Sequence, residues 1–211
     1  MYLVKRIDQE IEKRSLLKHP FYQMWSEGKL DLEALQGYAK EYFHLVKAVP
    51  SMVEKLATHD SNENIMTNLQ EEREHIEPWV KFAGAVGVSR RELEEYEVAQ
   101  KTRDSVNRLL ELASVFDEGV AAMYAYEAEI PKISQTKLEG LAKYYNITSD
   151  DATEYQRIHA TVDVKHAAVW RNILEQLQSI RHEDVFKASV SSLVAQNMLL
   201  DAVCEKYVRS M

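Results

Sequence analysis

The sequence has one cysteine, Cys204, in 211 residues. That excludes an intrachain disulfide and a thiolate-based zinc site. Proline and glycine are scarce, at 4 and 6 residues, which leaves little material for long loops. Val, Ile and Thr do not gather into alternating runs, so strands have no support. Positive charge is in deficit: 26 Lys and Arg face 34 Asp and Glu, for a net charge of −8 and a pI of about 5.4. A nucleic-acid binder carries a basic face, so that class is disfavoured. The longest uncharged run, Ala188 to Leu200, is too short to cross a bilayer and is interrupted by Ser, Gln and Asn. Lys5 and Arg6 place charge too early for a signal peptide. The expectation is a soluble, cytoplasmic protein with no nucleic-acid or membrane partner.

What is present suits one globular domain over residues 1–211, with 45% hydrophobic and 28% charged residues. Helical patterns run over 4–17, ending at His19-Pro20, and over 21–26, closed by Gly28. Asp31 is placed to cap a helix that runs past Tyr38, Tyr42 and His44 to Pro50, where a kink or restart is expected before 51–58. A long pattern covers 62–87 with Pro78 inside it, and Ser89-Arg-Arg-Glu92 has the form of a capping box. Further patterns cover 99–112, 116–129 and 136–145. Thr148-Ser-Asp-Asp151 caps a helix that carries His159, Asp163 and His166, and a last helix runs from about Glu183 to Arg209. No repeat and no linker divides the chain. The fold class is therefore all-α, a bundle of seven to eight helices, and bundle cores build metal sites from side chains on facing helices.

Three stretches place chemistry inside these helices. In His159-Ala-Thr-Val-Asp163-Val-Lys-His166 the offsets of four and seven residues return all three side chains to one helix face. Burying two imidazoles and a carboxylate together is costly unless something lies between them. A divalent iron, manganese or zinc ion suits that set; a solvated stripe or a core hydrogen-bond network are the alternatives. Glu71-Glu72-Arg73-Glu74-His75 sets Glu72 at i, i+3 and Glu71 at i, i+4 from His75. Glu-x-x-His is the pairing of di-iron carboxylate bundles, which favours Glu72 without excluding Glu71, although glutamates are also common on exposed helix faces. In Tyr124-Ala-Tyr126-Glu127-Ala-Glu129, Glu127 interrupts an otherwise apolar run, whereas Glu129 reads as a solvated helix end. Together these supply three His and three carboxylates, too many for one ion. Two divalent ions would leave about one surplus positive charge, and open positions on each would suit O2 activation.

Those three stretches, with His19-Pro-Phe-Tyr22-Gln-Met-Trp25-Ser-Glu-Gly28, Tyr38-Ala-Lys-Glu-Tyr42, Lys47-Ala-Val-Pro50, His75-Ile-Glu-Pro-Trp79, Ile130-Pro131 and Lys137 with Gly140-Leu141, carry a resemblance over nearly the whole chain. The sequence resembles the heme-oxygenase-like di-metal oxidase superfamily, whose all-α fold is shared with thiaminase II (TenA) and the pyrroloquinoline-quinone synthase PqqC. Within it, the sequence is most similar to the group typified by the chlamydial death-domain-associating protein, CADD. The resemblance implies that Glu72 or Glu71, His75, Glu127, His159, Asp163 and His166 ligate two metals, Fe/Fe or Mn/Fe, with O2 and a reductant as partners and a homodimer as the assembly. It also implies synthesis of p-aminobenzoate for folate at the expense of the protein's own side chains. Tyr22 would be the consumed ring, Lys137 the nitrogen donor, and Tyr38 and Tyr42 relay residues. Two alternatives stay open: an oxidase of an external fatty acid or amino acid, and a TenA- or PqqC-like protein without metal chemistry. One departure is that the superfamily's first glutamate usually stands further from its histidine, whereas here the pair is compact. Thiaminase chemistry needs a cysteine nucleophile, and Cys204 in the last helix is poorly placed for it. His19 is a weak candidate for a heme ligand.

Overall fold

The structure is a computed structural model describing residues 2–208. Among the described residues all regular structure is helical, in twelve α-helices and two 3₁₀ turns. None of these helices is long and apolar enough to cross a membrane. The helices are α1 (Tyr2–Lys13), α2 (Pro20–Glu27), α3 (Leu32–Ala57), α4 (Glu63–Glu74), α5 (Ile76–Ala85), α6 (Arg90–Glu95), α7 (Gln100–Leu112), α8 (Phe116–Glu127), α9 (Ile130–Tyr144), α10 (Asp150–His159), α11 (Val162–Gln176) and α12 (His182–Tyr207). The expected end of the last helix at Arg209 lies outside the described residues.

Local chemistry sets most of these boundaries. Asp31, Asn62 and Ser149 cap α3, α4 and α10 by accepting hydrogen bonds from backbone N–H groups of the first turn. Ser89 and Glu92 form the expected reciprocal capping box. Gly28 closes α2 at φ +68°, a left-handed geometry that favours glycine. The centre of the bundle is α8, in which every residue from Gly119 to Glu127 is buried. It packs against α12 on one side and α11 on another, while α10 lies along α5. A helix apolar on all sides must be surrounded, so the one acid at its end, Glu127, is carried into the interior.

The segments outnumber the seven to eight expected, and two of the extra ones arise because long patterns are split. The pattern over 62–87 breaks at His75. The ring of Pro78 crowds a helical carbonyl four residues earlier, at Glu74, and α4 ends there. The helix expected to carry His159, Asp163 and His166 together is also interrupted. α10 ends at His159 and α11 begins at Val162; between them the Thr161 hydroxyl donates to the carbonyls of Ile158 at 3.0 Å and Arg157 at 3.4 Å. Conversely, Pro50 does not restart α3, which is continuous past it while Val49, Met52, Val53 and Leu56 are buried around it. Helix α9 starts at Ile130, with Pro131 in its first turn, and not at residue 136. Glu129 is not a solvated end: it accepts from the Leu16 N–H at 3.0 Å and from the Ser15 hydroxyl.

Candidate metal centre

Both helix breaks fall on histidines, and both turn an imidazole inward. His75 sits between α4 and α5, His159 at the end of α10, and their rings lie 4.4 Å apart. Asp163 and His166 come from the first turns of α11, Glu72 from the last turn of α4, and Glu127 from the end of α8. These six side chains are only 1–6% exposed. Their ligand atoms form two triads, Glu72–His75–His159 and Glu72–Glu127–His166, each with all atoms within 4.8 Å of one another. Glu72 belongs to both. Its carboxylate lies 3.5 Å from His75 Nδ1 and 3.4 Å from His166 Nδ1, and His166 Nδ1 is 3.5 Å from Asp163. Glu71 stands outside, 39% exposed, and bonds His166 Nε2 at 2.6 Å.

Hydrogen bonds hold two of the rings so that one nitrogen faces the centre. The Tyr155 carbonyl takes His159 Nδ1 at 2.8 Å, leaving Nε2 inward. Glu71 takes His166 Nε2, leaving Nδ1 inward. Trp170 donates to one oxygen of Glu127 at 2.6 Å. The inward atoms lack partners: His75 Nδ1, His166 Nδ1, Glu127 Oε1 and both oxygens of Asp163 are buried without a hydrogen bond. Buried polar atoms are nearly always paired, so orphans this concentrated, all of them ligand atoms, fit a pair of cations.

The charges point the same way. Burial would raise the Glu72 pKa, but the adjacent imidazoles of His166 and His75 bring it down to about 2. Burial pushes Glu127 well above the carboxylate range, against the smaller pull of His166. Burial would lower His166, but Asp163, Glu72, Glu127 and Glu71 hold it up at about 11. Burial lowers His159. Protons on Glu127 and His166 therefore stand where cations would compete for the same atoms.

Beside this centre lies a cluster of tyrosines around a lysine. The Tyr22 and Tyr38 hydroxyls are 3.1 Å apart, and Tyr42 and Tyr126 meet at 3.4 Å. Lys137 is buried, with Nζ 5.4, 5.2 and 5.2 Å from the ring centres of Tyr22, Tyr38 and Tyr42. Burial drops its pKa to about 7, partly offset by Asp163. Burial raises Tyr42 to about 12, and Asp163 and Glu72 add to the rise. The Trp25 indole donates to the Lys137 carbonyl at 3.3 Å, which ties α2 to α9.

The structure thus brings together Glu72, His75, Glu127, His159, Asp163 and His166, and separately Tyr22, Tyr38, Tyr42 and Lys137, with Glu71 at the rim. Sequence reasoning missed Tyr155 and Trp170 as the groups that orient His159 and Glu127. It also missed Asn68 and Gln156, both buried with unpartnered amides one helical turn before Glu72 and His159. An amide inside an otherwise apolar helix face was the available signal for the last two.

Residues 7–195 match the TENA/THI-4/PQQC family. The sequence is 34% identical over 191 residues to a 4-aminobenzoate synthase from Chlamydia pneumoniae, covering 86% of this chain and 85% of that one. A TenA homolog from Pseudomonas syringae superposes with a TM-score of 0.83 at 16% identity, over 96% of this chain and 93% of the other. A domain with a heme oxygenase-like fold from Shewanella denitrificans gives 0.81 at 17% identity, over 98% and 92%. The bundle therefore has the heme-oxygenase-like fold.

Proposed function

The chain belongs to the TENA/THI-4/PQQC family, and from that premise we propose that it is an O2-dependent di-metal oxygenase that forms 4-aminobenzoate from its own Tyr22 and Lys137. The observation that carries the reading is a juxtaposition: two acid–imidazole triads sharing Glu72 adjoin a buried amine ringed by three phenols. The names of the relatives, 4-aminobenzoate synthases in Chlamydia and Nitrosomonas, support it.

Glu72, His75 and His159 would hold one cation and Glu72, Glu127 and His166 the other, with Asp163 offering two further oxygens. Two redox-active cations, Fe/Fe or Mn/Fe, would supply reductive activation of O2. The protein's own groups do the rest. Tyr155, Trp170 and Glu71 fix the donors, as outer partners of metal ligands do. The closed bundle keeps water from the phenols. Lys137, poised near neutrality by burial, presents a free amine to the Tyr22 ring above about pH 7. The Tyr22–Tyr38 hydrogen bond gives a phenolic proton somewhere to go when the ring is oxidised.

Anaerobic loading with Fe(II), or with Fe and Mn together, followed by O2 and reductant, tests this. The parent protein should form 4-aminobenzoate and lose intact mass, and Tyr22→Phe should do neither. Equal product from Tyr22→Phe would refute self-consumption. Multiple turnovers with an added small molecule would favour an oxidase of an external substrate.

A further inference from the structure

A run of aromatic rings leads from the buried centre to the surface. His159 and Tyr155 stack with ring centres 4.0 Å apart, and Tyr155 meets Trp79 at 4.7 Å. Trp79 meets Tyr38 at 5.6 Å, Tyr38 meets Trp25 at 5.7 Å, Trp25 meets Tyr145 at 5.9 Å and Tyr145 meets Tyr144 at 6.5 Å. The inner rings are buried, Tyr145 is half-buried and Tyr144 is 40% exposed.

Three features distinguish this run from ordinary core packing. Every ring beyond His159 is a phenol or an indole, the side chains most readily oxidised by one electron. Phe21, which touches Trp25 and Tyr38, stands beside the line and not in it. The backbone is cut back where the run leaves the bundle: a Cβ on Gly140 would lie 2.5 Å from the Trp25 ring, and one on Gly28 would lie 2.5 Å from the Tyr144 ring. Proton acceptors or solvent lie beside two of the phenols. Tyr38 shares a hydrogen bond with Tyr22 and has the Lys137 amine over its ring, and Tyr144 meets water. An indole needs no such partner, because it can give up an electron before its proton.

We infer that these rings pass electrons one at a time from a reductant docked at Tyr144 to the buried centre, so that the reductant need not enter the bundle. The inference rests on the di-metal reading for the final acceptor, whereas conduction along the rings does not. Each transfer oxidises an external one-electron donor, such as ascorbate, a reduced flavin or an iron–sulfur protein, and reduces the centre by one electron. When Tyr144 is transiently oxidised its phenolic proton goes to water and returns as the donor refills it.

The test drives the run outward-in with light. A ruthenium polypyridyl photo-oxidant is attached through Glu139→Cys, an exposed position five residues before Tyr144 on α9, in a Cys204→Ser background. It is flashed with a cobalt(III) quencher, in the full-length protein before and after iron loading. Oxygen addition at Trp79, located by peptide mass spectrometry, is the readout. The expected result is oxidation of Trp79 that disappears in Trp25→Phe and in Tyr145→Phe and persists in Tyr124→Phe, which lies off the line. Tyr145→Phe removes only a half-buried hydroxyl and keeps the ring against Trp25, so it keeps the test valid if Trp25→Phe misfolds. An untouched Trp79 in the parent, or equal oxidation in the Trp25 and Tyr145 variants, overturns the inference. A protein that conducts yet binds no metal would instead sink the di-metal reading and leave the conduction standing.

Discussion

Two buried glutamates in this bundle behave oppositely. Glu41 on α3 is 0% exposed and Glu127 on α8 is 1% exposed. Glu41 is fully engaged: the Tyr96 hydroxyl donates at 2.5 Å, the Ala99 N–H reaches both oxygens at 3.1 Å, and the Lys206 ammonium lies at 3.6 Å. It clamps the start of α7 and the end of α12 to α3. Glu127 has one donor, Trp170, and its other oxygen has none; Asp163 has no partner on either oxygen. A satisfied buried carboxylate acts as a structural clamp, while an unsatisfied one keeps its charge only where a cation meets it. Burial alone therefore does not mark a site; incomplete pairing among ligand atoms does.

Exchanging the acids for amides separates the two kinds. Glu72→Gln should have the largest effect, abolishing tight binding at both triads because they share this residue; calorimetric titration with Mn(II) or Fe(II) reads it. Glu41→Gln should leave that titration unchanged and lower folding stability by about 3 kcal/mol in urea unfolding, the cost of breaking a buried charged network. If Glu41→Gln also lost the metal, the distinction between clamp and site would fail.

Lys137 sharpens the contrast from the cationic side. Its folded pKa of about 7 lies below its ordinary value of 10.5. Between those pH values the unfolded chain binds the extra proton, so stability rises with pH across that window. Replacing Lys137 by Met should stabilise the protein by roughly 5 kcal/mol at pH 7 and below, with the gain shrinking towards pH 10.5. Thermal unfolding at several pH values would show it; a gain independent of pH would mean that the amine is not desolvated.

Glu71→Gln should have the smallest effect. This side chain touches His166 from outside, so its loss should weaken metal affinity by about tenfold without abolishing it. An effect as large as that of Glu72→Gln would move Glu71 from the rim into the centre.

Much of this was legible in the sequence wherever a charged residue broke an apolar pattern. Glu127 after Val120-Ala-Ala-Met123, and His159, Asp163 and His166 in one short stretch, stood out for that reason. The break at His75 had a signal in Pro78, which disfavours a helical carbonyl at Glu74, although Pro50 inside α3 shows that a proline need not end a helix. The break at Thr161 was not: threonine is ordinary in helices, and only the placement of its hydroxyl on two carbonyls ends the turn. The phase argument over 159–166 thus assumed a helix that is not continuous, although the three side chains still converge. Trp170 and Glu41 were silent because their roles come from partners on other helices, and no local pattern records a partner 43 or 55 residues away; Tyr155 was silent because it acts on His159 through its backbone carbonyl, which every residue has.

Metal content per folded chain, measured by mass spectrometry after anaerobic Fe(II) loading and desalting, tests the central claim most directly. The account predicts two equivalents in the parent, two in Glu41→Gln and a marked loss in His159→Ala. Less than one equivalent in the parent, unchanged in His159→Ala, would contradict it.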